Sequence, residues 1–250
     1  MIKLIDFRKL LVLNCCLFLL LEAHCQIIVN EDDSSDSLSL IDDLSNKVSE
    51  TEAYFGVFSG HSDRILGVNE GLFAGEIGER ANEEPVVVAS IYVGLRSTIY
   101  KNLSLDIGAG FTKNGERYSL NEADSLYEYQ NTYRHLSFPI QLALSSGKKE
   151  GVLFTAGITP KAFISKRTDL KYTDENGIEQ EEKIIKREGF EFFLFDITSS
   201  LGWRFQFDDS YGIYILGRGM YQLTNNYDKQ SPLTRNPWAV GIHLGFQFYL

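Results

Sequence analysis

The chain predicts an all-β protein: an eight-stranded antiparallel up-and-down transmembrane β-barrel, preceded by a signal peptide and a short disordered acidic segment. Three observations lead there. The last thirteen residues alternate: Trp238, Val240, Ile242, Leu244, Phe246, Phe248 and Leu250 are large and apolar. Ala239, Gly241, His243, Gly245, Gln247 and Tyr249 between them are small, polar or amphipathic. A period of two is a strand with one apolar and one mixed face, and this one is long enough to cross a membrane at a tilt. Secondly, seven more alternating segments recur upstream, joined by junctions that are in turn long and short. Thirdly, the apolar face carries more aromatic bulk than an eight-stranded interior holds.

The leader comes first. Lys3, Arg8 and Lys9 precede an apolar run over 10–21, broken only by Asn14, Cys15 and Cys16. Ala23 and Cys25 then occupy the minus-three and minus-one positions of a cleavage site before Gln26. This pattern is a secretory signal peptide, assigned to 1–25 and excluded from the fold. Glu22, Ala23 and His24 make a poor lipobox for Cys25. All three cysteines lie in this leader, so the mature chain has no thiol, disulfide or cysteine metal site.

Residues 26–52 are acidic and serine-rich, with Glu31, Asp32, Asp33, Asp36, Asp42 and Asp43. Such a segment buries little and is expected to be a mostly disordered periplasmic lead-in, with at most a short exposed helix over 38–44. It lacks the loop glycine and ligand spacing of an EF-hand. The barrel domain is assigned to 53–250.

Strand one, 54–60, carries the weakest alternation. In the second, Val87, Ala89, Ile91, Val93, Leu95 and Ile99 oppose Ser90, Tyr92, Gly94, Arg96 and Thr98. The third sets Leu103, Leu105, Ile107, Ala109 and Phe111 against Ser104, Asp106, Gly108, Gly110 and Thr112. In the fourth, Leu136, Phe138, Ile140, Leu142 and Leu144 oppose His135, Ser137, Gln141 and Ser145. The fifth sets Val152, Phe154, Ala156, Ile158, Ala162 and Ile164 against Thr155, Gly157, Thr159, Lys161 and Ser165. The sixth is the cleanest after the last: Phe193, Phe195, Ile197, Leu201, Trp203, Phe205 and Phe207 oppose Asp196, Thr198, Ser200, Gly202, Arg204 and Gln206. The seventh sets Tyr211, Ile213, Ile215, Tyr221 and Leu223 against Tyr214, Arg218, Met220 and Gln222. Junctions 101–102, 146–151 and 208–210 are tight. Junctions 60–85, 113–132, 166–189 and 224–237 read as long polar loops, the third a hairpin extension turning at Asn176 and Gly177. Short turns at one rim and long loops at the other are the bacterial outer-membrane arrangement, which puts the N-terminal segment in the periplasm and the long loops outside the cell.

The faces are assigned by volume and charge. Trp203, Phe205, Trp238, Ile242, Leu244, Phe246 and Phe248 are expected to face lipid. Tyr100, Phe111, Phe207, Tyr211, Trp238 and Tyr249 are candidates for interfacial girdles. The glycine-rich face turns inward, and its scattered charges need partners there. With a turn at Lys101, Arg96 and Asp106 fall opposite each other and pair. Lys161, Asp196, Arg204, Arg218 and His243 are expected to form a wider interior network with Tyr92 and Tyr214, a structural plug with no aqueous channel.

From residue 133 on, the chain resembles the outer-membrane β-barrel domain family of Bacteroidetes that includes PorT-like proteins. Carrying the likeness are Leu136-Ser137-Phe138-Pro139, Thr155-Ala156-Gly157-Ile158-Thr159-Pro160, Gly202-Trp203-Arg204-Phe205, and the run from Arg218 through Gln222 to Asn225. The family often has an acidic residue where Phe138 stands and a glycine where Gln222 stands. The resemblance implies an eight-stranded outer-membrane barrel and no particular activity.

No phosphate loop, paired metal histidines or nucleophile elbow occurs, and the net charge of -10 with no basic face excludes a nucleic-acid partner. No cofactor is implied. The expected partners are membrane lipid and envelope or extracellular proteins met through the long loops. The function expected is a non-enzymatic envelope or interaction protein. One alternative is a small barrel enzyme acting on lipid A or phospholipid, with His135 and Ser137 its weak candidate pair. Another is a soluble lipocalin-like binder.

Overall fold

The computed structural model describes residues 51–68, 82–122, 125–147, 150–174 and 177–250. The leader and nearly all of the acidic lead-in lie outside the described residues, as does Asn176. In chain order the strands are β1 (Thr51–Val68), β2 (Glu83–Tyr100), β3 (Leu103–Glu122), β4 (Ser125–Ser137), β5 (Ile140–Ser145), β6 (Glu150–Thr173), β7 (Glu179–Lys186), β8 (Phe193–Gln206), β9 (Tyr211–Gln222) and β10 (Leu233–Tyr249).

These ten segments make eight staves. β4 and β5 are one stave interrupted at Phe138 and Pro139, where the proline lacks the N–H that a continuous ladder needs. The backbone stays tied across the gap: Gly108 N donates to Pro139 O (3.0 Å) and Phe138 N to Pro160 O (2.8 Å). β7 pairs only with the upper part of β6. The remaining neighbours are antiparallel and sequential, and β1 pairs β10 from Glu52↔Tyr249 to Val68↔Leu233 without a register shift. The sheet is thus a closed transmembrane-type barrel with no open edge among its staves.

Alternation sets the two surfaces. Phe246 (59 % exposed), Ile242, Leu244, Phe248, Trp203 and Phe205 all point outward, while Tyr92, Tyr214 and Phe58 are buried inside. Together with Val93, Leu95, Ile107, Ile140, Leu142, Ile158 and Ile215 they make an apolar belt around the outside. The interior is narrow enough that glycine is needed opposite the tyrosines. A Cβ at Gly245 would overlap the Tyr214 ring, and one at Gly56 would overlap His243 Nε2 and Tyr214 Oη.

Three boundaries differ from the sequence reading. β1 is longer than 54–60 and takes in Glu52, which the sequence reading assigns to the lead-in; its carboxylate pairs with buried Arg96. The segment 113–132 is not a loop: β3 and β4 stay paired from Lys113↔Arg134 to Glu122↔Ser125. β10 starts at Leu233, inside the segment 224–237 that reads as a loop, whereas the hairpin expected over 166–189 is present, with β6 and β7 paired from Lys166↔Lys186 to Thr173↔Glu179 and Gly177 at φ 75° near the turn. The reason is common to all three. Beyond the belt neither face meets hydrocarbon, so apolar alternation disappears although the strands go on. Cross-strand contacts maintain them, such as Tyr118 stacked on Tyr129 at 5.3 Å.

Filling the close approach at Gly245 should strain the interior. Gly245→Val is expected to lose about 1–3 kcal/mol of unfolding free energy, read by urea titration of the barrel in detergent micelles. Unchanged stability would contradict the crowding described.

Candidate functional site

The inward side chains stack in three tiers. At the short-turn rim, Tyr54, Arg96 and Asp106 come from β1, β2 and β3, all buried. The register places Arg96 opposite Asp106, and Lys101 makes the intervening turn at φ 46°. Arg96 Nη2 donates to Asp106 Oδ2 (2.9 Å), Nη1 to Glu52 Oε1 (2.6 Å), and Tyr54 Oη to Asp106 Oδ1 (2.7 Å). Arg204 sits at the same level, with Nη2 donating to the Gly147 carbonyl (2.7 Å) and Nη1 3.8 Å from Glu52.

The middle tier holds two groups. Lys161 on β6 pairs with Asp196 on β8 (2.6 Å) and donates to Gln222 Oε1 (2.9 Å). On the adjoining staves β9 and β10, Arg218 Nη1 lies 3.1 Å from His243 Nδ1, while Tyr214 Oη lies 3.1 Å from His243 Nε2. The Arg218 guanidinium rests over the Tyr92 ring at 4.3 Å. The seven charged or histidine residues singled out from the sequence therefore fall into three separate groups: Arg96–Asp106 with Arg204 near Glu52, Lys161–Asp196, and Arg218–His243.

The outer tier was missed by sequence reasoning. Arg235 at the start of β10 and Glu116 on the β3 extension are fully buried. Arg235 Nη2 lies 2.6 Å from Glu116 Oε2, and Arg64 Nη1 lies 3.4 Å from Glu116 Oε1. Arg64 also pairs with Glu83 at 2.6 Å. Asn131 and Tyr133 donate to Glu116, Asn114 accepts from Arg235, and the Arg235 guanidinium covers the Tyr133 ring at 3.7 Å. Glu116 lies beyond the belt, five residues past Phe111. Burial alone would raise its carboxyl pKa; Arg235 and Arg64 outweigh this and hold it below the ordinary value. Apolar alternation does not reveal this tier, because its members sit in segments that read as polar loop. The one usable signal was that Asn114, Glu116 and Tyr118 continue the inward parity of Thr112.

The arrangement packs the lumen with paired charges, and each tier draws on strands from several sides of the ring. The weak catalytic candidate does not assemble. Ser137 Oγ donates to the Gly110 carbonyl (3.2 Å), and His135 packs against Phe163 with ring centroids 5.8 Å apart. No group of three or more metal-ligating side chains occurs among the described residues.

Fold and interior define a class: a small transmembrane β-barrel whose lumen is filled by its own side chains. No family model matches the chain, and no curated protein matches it. Several solved structures are similar in shape. The attachment invasion locus protein Ail of Yersinia pestis, in complex with the heparin analogue sucrose octasulfate, has 12% identity and a TM-score of 0.33, covering 80% of this chain and 99% of its own. The outer membrane protein OprG of Pseudomonas aeruginosa has 10% identity and a TM-score of 0.41, covering 82% and 97%. Neisserial surface protein A has 8% identity and a TM-score of 0.36, covering 79% and 97%. At these values the likeness says nothing about what this chain does.

Removing one member of the outer tier leaves a buried charge without its partner. Glu116→Ala should cost about 3–5 kcal/mol, measured by urea unfolding in micelles; a loss under about 1 kcal/mol, the range of an exposed pair, would contradict the buried geometry. Because the folded pKa is lowered, this stabilisation is complete above the ordinary carboxylate value and is lost as pH falls through the folded value. Glu116→Gln should flatten that acid limb.

Proposed function

We propose that the protein is an integral outer-membrane β-barrel, closed to ions, that works without catalysis as an envelope or interaction protein. Partners would be met at the rim carrying the β3–β4 and β6–β7 hairpins, with the N-terminal segment on the periplasmic side. The observation that carries this reading is the fully buried Arg235–Glu116 pair at the hairpin rim, above a lumen already filled by two further tiers. A lumen blocked at that end leaves the hairpins as the surface on which the molecule can act. The same interior argues against a soluble binder with an apolar lumen, since its buried side chains are largely polar. It also argues against a lipid-modifying enzyme, since the Ser137 hydroxyl is turned to a backbone carbonyl.

Kinship with the PorT-like barrels of Bacteroidetes forms part of the proposal and rests on the four sequence runs quoted above. A secretion role known for some of those proteins is not carried over.

Two measurements test the reading. Purified protein in planar lipid bilayers should give no steady single-channel conductance, whereas a stable open conductance would overturn the plugged lumen. An epitope inserted at Gly177, where a side chain would meet nothing within 4 Å among the described residues, should be reached by antibody on intact cells. Labelling only after the envelope is broken would reverse the orientation.

A further inference from the structure

Above the belt, the outer face of the β3–β4–β6 wall is rich in cations, and most of them have a carboxylate. Arg117 faces Glu128 (3.5 Å), Arg167 faces Asp169 (2.7 Å) and Lys171 faces Glu181 (2.8 Å). Lys113 and Arg134 are the exceptions: neither has a carboxylate within 4.0 Å among the described residues. Yet they are direct cross-strand partners. Their inward neighbours Thr112, Asn114, Tyr133 and His135 are all buried, so both side chains stand on the outer surface. Cross-strand side chains begin about 4.5–5.5 Å apart, and like charges so placed repel.

Their height on the barrel is defined. One step down each strand lie Phe111 and Leu136, themselves paired and part of the belt, and Leu136 is 42 % exposed. Lys113 Nζ sits 5.9 Å from the centre of the Phe111 ring, so the ammonium lies at the belt's upper edge. On the third strand the register slips between Arg134 and His135. This sets buried Ser165, and no acidic group, across from Arg134. Two cations thus stand side by side without a counter-charge at the level where hydrocarbon gives way to headgroups.

We propose that Lys113 and Arg134 clamp the phosphate of an anionic lipid headgroup. The phosphate would sit between the ammonium and the guanidinium, which can grip it through two parallel N–H donors. Its acyl chains would run down the face beside Phe111, Leu136 and Ile164. The clamp rests on the reading of the apolar belt as membrane-embedded. It does not depend on the function proposed for the hairpins.

The test uses full-length protein in detergent micelles doped with bisphosphorylated lipid A, with lipid retention read by native mass spectrometry. Wild type should retain lipid A and not phosphatidylcholine. The Lys113→Gln/Arg134→Gln double variant should retain roughly thirtyfold less, the loss expected for two basic contacts at a charged lipid surface. Arg117→Gln, at an arginine already paired with Glu128, should retain as much as wild type. Heat-modified gel mobility checks that each variant is folded. Equal retention by wild type and the folded double variant overturns the clamp. So does displacement of lipid A by millimolar inorganic phosphate, which would mark a site for the free anion. A wild-type protein that fails to float with liposomes overturns the membrane reading itself, and that result is distinct from a protein that embeds but shows no difference between variants.

Discussion

The pairing of the first strand with the last is the constraint on which the rest depends. In hydrocarbon a backbone N–H or C=O without a partner costs several kcal/mol, so a spanning sheet must close. Here β1 and β10 meet along the full length of β10, and the backbone continues to bond past the strand ends, with Leu250 N donating to Thr51 O (2.9 Å). Once closure fixes eight staves, the lumen is too narrow for a water column and too polar to be left empty. Glycine at Gly56 and Gly245 then follows from the room that Tyr214 and His243 take up.

Closure also explains why the charges appear in tiers. A charge pointing into a narrow lumen finds a partner within a side-chain length or stays unpaired at high cost. Arg96 and Asp106 are cross-strand neighbours, whereas Lys161 and Asp196 reach each other from adjoining staves one register step apart, since Asp196 lies opposite Thr159. Arg235 and Glu116 reach each other across the ring, from β10 and β3. That last contact ties opposite walls together at the hairpin rim. Pairs of this kind make a rigid plug more readily than a proton path, because each carboxylate is held by a cation at a short, fixed contact.

The fold was readable because the membrane imposes a period of two on every segment it touches. Trp238 to Leu250 and Phe193 to Phe205 show that period with almost no exception, and both are strands with the apolar side outward. Where strands leave the belt the rule lapses. The β3–β4 extension carries Arg117 and Glu128 on one face and Tyr118 and Tyr129 on the other, which reads as polar loop although it is fully paired. The same lapse hid Glu116, Arg64 and Arg235. Contacts across the ring, as between β10 and β3, leave no trace in local spacing; those of a tight hairpin do, which is why Arg96 and Asp106 could be matched from the position of the turn. Periodicity says nothing about partner identity.

The central claim is that hydrocarbon is the solvent for the outer face. The sequence has two tryptophans, Trp203 and Trp238, and both take the outward parity of their strands, Trp203 exposed and Trp238 half-buried. Their fluorescence in vesicles of brominated phosphatidylcholine is therefore a direct probe. The account predicts strong quenching by brominated chains and little by aqueous iodide. Emission untouched by bromine and quenched by iodide would place both rings in water and contradict it.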